Sequence, residues 1–243
     1  MRSLGVLCAR GASKRLPRKH VRPLLGLPLV AWMCRAAAAS RLDRVVMSTD
    51  DPEIAAIARA NGAEVPFLRA ARLAEDFAAD YDIVADALDR CEAEEGRVYD
   101  AVVMLQPTTP FARPEDIDGC LARLAADPAL GCCFTARRAA EPAQWMFVEG
   151  ADGRAAPLLD GIVSNQDAHK QTLPPAWLPT GAAYAVRTAA FRAQKKIYAT
   201  PLAFHVMESE RAVDIDEEID LLLAETLGRT RGFAPVPLSG RPS

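Results

Sequence analysis

Five cationic side chains, Arg10, Lys14, Arg15, Arg18 and Lys19, fall within ten positions of one another, directly after an apolar run from Leu4 to Ala9. The run has the length and make-up of a buried parallel strand. Arg10-Gly11-Ala12-Ser13 then breaks it sharply. Gly11 permits a turn with positive φ and a close approach of its N–H to a ligand. Ala12 and Ser13 are small, and the Ser13 hydroxyl can donate to a phosphate oxygen. A strand end, a turn of exposed N–H groups and several fixed cations together suit a polyphosphate. The spacing is neither G-x-x-x-x-G-K-[ST] nor G-x-G-x-x-G, which excludes a Walker loop and a dinucleotide fingerprint. A solvated basic turn stands as the plainer reading of the same residues.

A second chemistry-bearing pair lies at the other end of the chain, in Ala212-Val-Asp-Ile-Asp216. If this segment is extended, Asp214 and Asp216 point to one side and Ile215 to the core. Two carboxylates so placed repel unless a cation or proton sits between them. Mg²⁺, which shares phosphate oxygens readily, is the natural occupant. The competing reading is helix capping, with Asp214 followed by Glu217 as a capping-box-like start.

The elements that must position these residues alternate. Strands are expected at 4–9, 44–48, 64–68, 101–105 and 131–135, and later at 184–186 and 205–207. Helices are expected at 29–40, 52–61, 82–94, 114–126 and 215–227. The second helix has Pro52 at its first turn and Gly62 just past its end. In the last helix Ile219, Leu222 and Leu223 are expected to share the buried face. Such alternation predicts a doubly wound, mostly parallel α/β sheet, with the site built from loops at the carboxyl ends of the strands. The basic loop, Ser48–Asp51 and Gln106–Pro110 all occupy that position. Asp51 also suits a cap for the Pro52 helix. The alternation lapses over 141–179, a Pro- and Gly-rich stretch carrying Trp145, Met146, Phe147 and Trp177. It reads as an inserted arm or lobe within a domain of residues 1–232, followed by a mobile Pro-rich tail over 233–243.

Composition narrows the classes. Half of the 243 residues are hydrophobic and the formal net charge is −3. A full core is therefore expected, and the basic loop is a local feature with no nucleic-acid partner implied. No apolar stretch of signal-peptide or bilayer-spanning length is evident, so a soluble cytoplasmic protein is expected. The six cysteines have no C-x-x-C spacing and lie mostly in apolar runs, as buried hydrophobes in a reducing compartment do. Three histidines without an H-x-x-x-H pair argue against a histidine metal centre.

Ala9-Arg-Gly-Ala-Ser-Lys-Arg-Leu-Pro-Arg-Lys19 resembles the A-R-G-G-S-K-x-[IL]-P-x-K-N signature of the CMP-nonulosonate synthetases. These cytidylyltransferases activate sialic-acid-like sugars, and the acylneuraminate cytidylyltransferases are the best known. The resemblance continues through Val46-Met-Ser-Thr-Asp-Asp51, Leu105-Gln-Pro-Thr-Thr-Pro110, Gly181-Ala-Ala-Tyr184 and Val213-Asp-Ile-Asp216. It implies a Rossmann-like nucleotidyltransferase fold, a homodimer made through the 141–179 arm, and Mg²⁺ or Mn²⁺ as cofactor. The implied reaction is CMP transfer from CTP to the anomeric hydroxyl of a nine-carbon 2-keto sugar acid (an N-acylneuraminate, pseudaminate or legionaminate), with pyrophosphate released. The barrier to such a transfer is mainly electrostatic, so cations around the triphosphate carry most of the catalysis.

By the same resemblance, Arg10, Lys14 and Lys19 are the catalytic triphosphate ligands, with Gly11 and Ser13 beside them. Arg69, Asp76 and the backbone at Ala78 and Ala79 lie by the nucleobase. Gln106, Lys170, Gly181 and Tyr184 bind substrate, and Asp214 and Asp216 hold the metal. Arg15 and Arg18 stand at variable positions and read as solvated. The chain departs from the pattern at His20, Leu178 and Thr180, where the family carries Asn, Arg and Asn. Leucine cannot make a carboxylate-binding fork. Glu75-Asp-Phe-Ala78 and Pro107-Thr-Thr-Pro-Phe111 resemble the pseudaminic-acid branch instead. A KDO-type or other sugar nucleotidyltransferase is the alternative enzyme. A non-catalytic nucleotide-binding relative is the other alternative, and the retained Arg10, Lys14, Lys19, Asp214 and Asp216 speak against it.

Overall fold

A computed structural model describes residues 1–75, 77–159 and 169–238 of the chain. In order they form β1 (Ser3–Cys8), a small hairpin of β2 (Pro23–Leu24) and β3 (Leu27–Pro28), α1 (Leu29–Ala38), β4 (Arg44–Ser48), α2 (Pro52–Ala60), α3 (Asp80–Glu95), β5 (Ala101–Leu105), α4 (Pro114–Ala126) and β6 (Cys132–Arg138). A second hairpin follows, β7 (Phe147–Glu149) with β8 (Ala155–Pro157), then β9 (Trp177–Arg187), α5 (Thr188–Gln194), β10 (Leu202–Val206) and α6 (Glu218–Arg231).

Six strands make the main sheet in the order β10-β6-β9-β5-β1-β4. All run parallel except β9, which pairs antiparallel with both β5 and β6. The central strands are apolar at nearly every position because both faces are covered. Along β1, Leu4 and Val6 join the cluster packed on α3 through Val84 and Leu88. Leu7 joins the opposite cluster, which packs Val30 and Met33 of α1, Ile54 of α2 and Ile117 of α4. The sheet is therefore doubly wound, as the strand–helix alternation predicts. α2 starts where the Asp51 carboxylate accepts from the N–H groups of Glu53 and Ile54 at 2.8 and 3.2 Å, and ends before Gly62 at φ +92°.

Several expectations need correction. The 64–68 strand shrinks to a single bridge between Glu64 and Val46, and α5 has no counterpart in the expected elements. The last helix begins at Glu218 and not at residue 215. Residues before it stay extended because the Ile215 N–H donates to the Thr108 carbonyl (2.8 Å) and the Ile215 side chain is fully buried. Asp220 caps instead, accepting from the N–H groups of Asp216 and Glu217 at 2.9 and 2.8 Å. That shift of origin turns the helix. Leu221, Ala224 and Gly228 are buried, while Ile219, Leu222 and Leu223 face outward.

The expected arm also ends early. Trp177, Leu178 and Pro179 belong to β9, paired with Arg138, Arg137 and Ala136 of β6. Of the tail, residues 233–238 lie against the body: the Phe233 ring stands 4.8 Å from Phe111, and its N–H caps α6 at the Gly228 carbonyl (2.9 Å). Asp76, residues 160–168 and residues 239–243 lie outside the described residues. No described helix is long and apolar enough to cross a membrane.

Candidate active site

A cleft of about 450 Å³ opens at the carboxyl ends of β1, β4 and β5. The loop after β1 contributes Arg10, Arg15, Lys19 and His20, and the segment after β4 contributes Arg69. Gln106 and Thr108 follow β5, while Asp80, Asp214 and Asp216 bring negative charge to the same cleft.

The basic loop is held by its own counter-ions. Lys19 and Arg15 each donate to Asp216, at 2.8 and 2.6 Å. Arg18 sits in the left-handed region at φ +58°. It pairs with Asp51 at 3.1 Å and with Glu53, fastening the loop to the start of α2. The turn at Arg18 aims the next two residues, Lys19 and His20, into the cleft from a short 3-10 turn over Lys19–Val21.

Gly11 behaves differently from expectation. It does not adopt positive φ, and its N–H donates to Asp50 at 3.0 Å. Glycine is needed there for space: a Cβ would stand 2.7 Å from the Asp51 carboxylate. Asp50 and Asp51 thus brace the loop.

The two aspartates differ electrostatically. Burial works against ionisation of Asp216, but the Lys19 and Arg15 pairs outweigh it and hold the carboxyl below the usual carboxylate range. Asp214 keeps contact with solvent, yet the protein packed around it pushes its carboxyl up. A hydrogen bond with Thr108 and the charge of Lys19 oppose that push, and the charges of Asp216 and Asp220 add to it. Burial likewise raises Asp80, against the pull of Arg69. The extended 213–216 segment places both aspartates on the cleft with Ile215 in the core, as alternation along a strand dictates. Neither caps α6, which is capped by Glu217 and Asp220.

Arg69 is buried, and its guanidinium donates to both the hydroxyl (3.0 Å) and the carbonyl of Ser48. Gln106 reaches the cleft over Gly181, which adopts φ +80°; a Cβ at Gly181 would come within 2.6 Å of the Gln106 side-chain oxygen. Next to it, the Thr109 hydroxyl donates to the Thr180 carbonyl (2.6 Å), and the Thr180 hydroxyl donates to Thr135 (2.7 Å). The Thr180 hydroxyl therefore ties β9 to β6, and its carbonyl ties β9 to the loop after β5. Tyr184 is buried against Tyr198 in an edge-to-face pair with ring centroids 5.5 Å apart. Burial raises its phenol, and the charges of Asp214 and Asp80 add to the effect.

Of the residues singled out from the sequence, the fold brings Arg10, Lys19, Arg69, Gln106, Asp214 and Asp216 together around one cleft. Gly11, Ser13 and Lys14 belong to the supporting loop and not to the cleft wall; Ala79 immediately precedes α3, between the cleft residues Ala78 and Asp80. Gly181 and Tyr184 back the cleft. Lys170 lies apart, on the arm, with its ammonium 3.4 Å from Glu141. Asp76 is outside the described residues. Sequence reasoning missed Thr108 and Asp80, read Arg15 as merely solvated, and marked His20 only as a departure from the family pattern. Nothing in local spacing marks Arg15 as Asp216's partner, since 201 positions separate them.

A sequence profile described as "Cytidylyltransferase" matches residues 4–145. The CMP-N,N'-diacetyllegionaminic acid synthase of Legionella pneumophila is 43% identical over 118 residues, covering 48% of this chain and 50% of the relative. The pseudaminic acid cytidylyltransferase of Campylobacter jejuni is 38% identical over 112 residues, covering 46% and 48%. The chain thus aligns with about half the length of these curated relatives. A solved CMP:2-keto-3-deoxy-manno-octonic acid synthetase complexed with CTP shares the fold with a TM-score of 0.70, at 17% identity, over 95% of this chain and 100% of its own. The profile spans more than half of the chain, from the strand that carries the basic loop through the elements that bring Arg69, Gln106 and Thr108 to the cleft, and so the chain belongs to the cytidylyltransferase family.

Proposed function

We propose that the protein transfers CMP from CTP to the anomeric hydroxyl of a sialic-acid-like 2-keto sugar acid and releases pyrophosphate. The observation that carries this reading is the cleft itself, which gathers the cations Arg10, Arg15 and Lys19 and the carboxylates Asp214 and Asp216 around about 450 Å³ of open space, with Arg15 and Lys19 already paired to Asp216. In the transfer, the anomeric oxygen bonds the α-phosphorus and releases its proton to solvent, while the bond from the α-phosphorus to the α–β bridging oxygen breaks. Pyrophosphate leaves with that electron pair. Fixed cations aimed at the triphosphate lower this barrier because they need no reorganisation as charge moves to the leaving group.

The donor set fits Mg²⁺. Hard carboxylate oxygens suit it, and Asp214 and Asp216 both line the cleft. Asp214, hydrogen-bonded with Thr108, and Asp216 would hold the ion against the phosphates. Once bound, the ion supplies charge neutralisation at the triphosphate. Lys19 and Arg15, which line the same cleft, would hold phosphate oxygens beside it.

The matched relatives are named for legionaminic and pseudaminic acids, and Leu178 offers no guanidinium to a carboxylate. These two facts favour a modified nonulosonic acid over N-acetylneuraminic acid as acceptor. The test is pyrophosphate release from CTP and Mg²⁺ with pseudaminic, legionaminic, N-acetylneuraminic and 3-deoxy-manno-octulosonic acids. Highest kcat/KM on one of the first two is expected. Turnover confined to the eight-carbon acid, or none with any acceptor, overturns the reading.

A further inference from the structure

Phe77 stands in water at the rim of the cleft. It is 99% exposed, whereas the next most exposed aromatic among the described residues, Phe147, is at 53%. Its near neighbours Glu75 and Ala78 line the cleft. The Ala78 N–H donates to the Glu75 carbonyl at 3.2 Å, closing a turn around Phe77. That turn is fastened on both sides. Buried Leu73 ends a short 3-10 turn before it, and Ala79 opens α3 after it, accepting from the N–H groups of Asp82 and Ile83 at 3.0 and 3.2 Å. The backbone therefore holds the ring at the rim and leaves its χ angles free. A phenyl ring gains free energy by leaving water, and the described chain gives this one no cover.

Charge decides which part of a nucleotide comes to this rim. Residues 73–83 contain no Lys or Arg. What they present to the cleft is Leu73, Ala78 and Ile83 with the carboxylates of Glu75 and Asp80. Those carboxylates repel a triphosphate, while Arg10, Arg15 and Lys19 attract it from the loop after β1. The two walls also rise from opposite faces of the sheet, since α3 packs with Leu4 and Val6 and α1 packs with Leu7. The part of a nucleotide that suits a wall of apolar side chains without cations is its base, a flat ring with an apolar face. Resting on the cytidylyltransferase reading, we propose that Phe77 turns over the cleft when the nucleotide binds and stacks on the face of its base.

The test places a reporter at that position. In Phe77→Trp, acrylamide quenching of the added indole is measured against the wild-type background of Trp32, Trp145 and Trp177. It should fall on saturation with CTP and Mg²⁺ and stay unchanged with inorganic tripolyphosphate. Stacking of an aromatic ring on a base corresponds to about tenfold in affinity. In calorimetry, Phe77→Ala should therefore bind CTP about tenfold more weakly than wild type and tripolyphosphate equally well, while Phe77→Trp keeps wild-type affinity for CTP. Should tripolyphosphate not bind, the CTP measurements decide. The ring lies outside the core, so these variants should unfold in urea like wild type, and a loss of affinity reports on binding. An indole that stays quenchable with CTP bound, or a Phe77→Ala protein with wild-type affinity, overturns the proposal and leaves the cytidylyltransferase reading intact. So does equal weakening for CTP and tripolyphosphate. Protection that appears without nucleotide and grows with protein concentration assigns Phe77 to a contact with a second copy of the chain and likewise overturns it. A wild type that does not bind CTP brings down both readings.

Discussion

Asp214 and Asp216 sit two positions apart in one extended segment, yet their ionisation works on stability in opposite directions. Asp216, its carboxyl held low once Lys19 and Arg15 outweigh burial, stabilises the fold above its unfolded pKa. That contribution is lost as pH falls through the depressed folded value. Asp214, raised mainly by burial, costs stability while ionised and ceases to do so below its folded pKa. At neutral pH, Asp216→Asn should therefore unfold at slightly lower urea than wild type, and Asp214→Asn at equal or slightly higher urea. Both differences should close on acidification. Turnover should separate from stability: each variant should lose orders of magnitude in kcat with a higher Mg²⁺ requirement, since about 1.4 kcal/mol of barrier is a factor of ten. Because Glu217 and Asp220 cap α6, loss of a cap cannot explain such a result. Wild-type kinetics and Mg²⁺ dependence in both variants would exclude a metal role.

At the scale of elements, one buried ion pair holds the aspartate segment against the sheet. Arg211, just before that segment, donates to both Asp116 oxygens (3.0 Å for the Nη2–Oδ1 bond) and to the Phe111 carbonyl at 3.3 Å. Asp116, in the first turn of α4, is 2% exposed and also accepts from the Arg113 N–H at 2.8 Å. Removing one partner strands a buried charge, which costs about 3–5 kcal/mol. Arg211→Met should lower stability by that order in urea unfolding. Adding Asp116→Leu, which removes the stranded charge, should recover a large part of it. If the double variant is no more stable than Arg211→Met, the pair is not what fixes this junction. The aspartates' position in the cleft should depend on it too, so Arg211→Met should raise the Mg²⁺ requirement in the same sense as Asp216→Asn.

For the whole molecule, the excursion between β6 and β9 suits a contact with a second copy of the chain. Phe147, Val148, Leu158 and Leu159 on it are exposed, and the surrounding sheet does not cover them. Its two ends meet: the Ala139 N–H donates to the Ala176 carbonyl at 2.9 Å, and Arg138 pairs with Trp177. Replacing 141–175 by a short Gly-rich turn should thus leave the β6–β9 ladder intact. The shortened protein should sediment as a monomer with impaired turnover, and the full chain as a dimer. A shortened protein that still sediments as a dimer would refute the arm as the interface.

The sequence by itself determined the doubly wound sheet, because apolar runs, helical spacing and punctuation by Pro52 and Gly62 are local signals that tertiary packing reinforced. For Asp214 and Asp216 it left two readings, an extended segment with Ile215 in the core or the start of a helix, and the Ile215–Thr108 hydrogen bond with the burial of Ile215 decided for the first. Only the tertiary structure decided the rest. The antiparallel β9 is set by which edges its strand meets, and no property of 177–187 announces that. The outward turn of Ile219, Leu222 and Leu223 follows from Ile215 being claimed by the core and from Asp220 taking the cap. The space requirement at Gly11 comes from Asp51, 40 positions away in the chain. The role of Arg15 as Asp216's partner has the same origin: it is a contact between residues that only the closed sheet brings to one cleft.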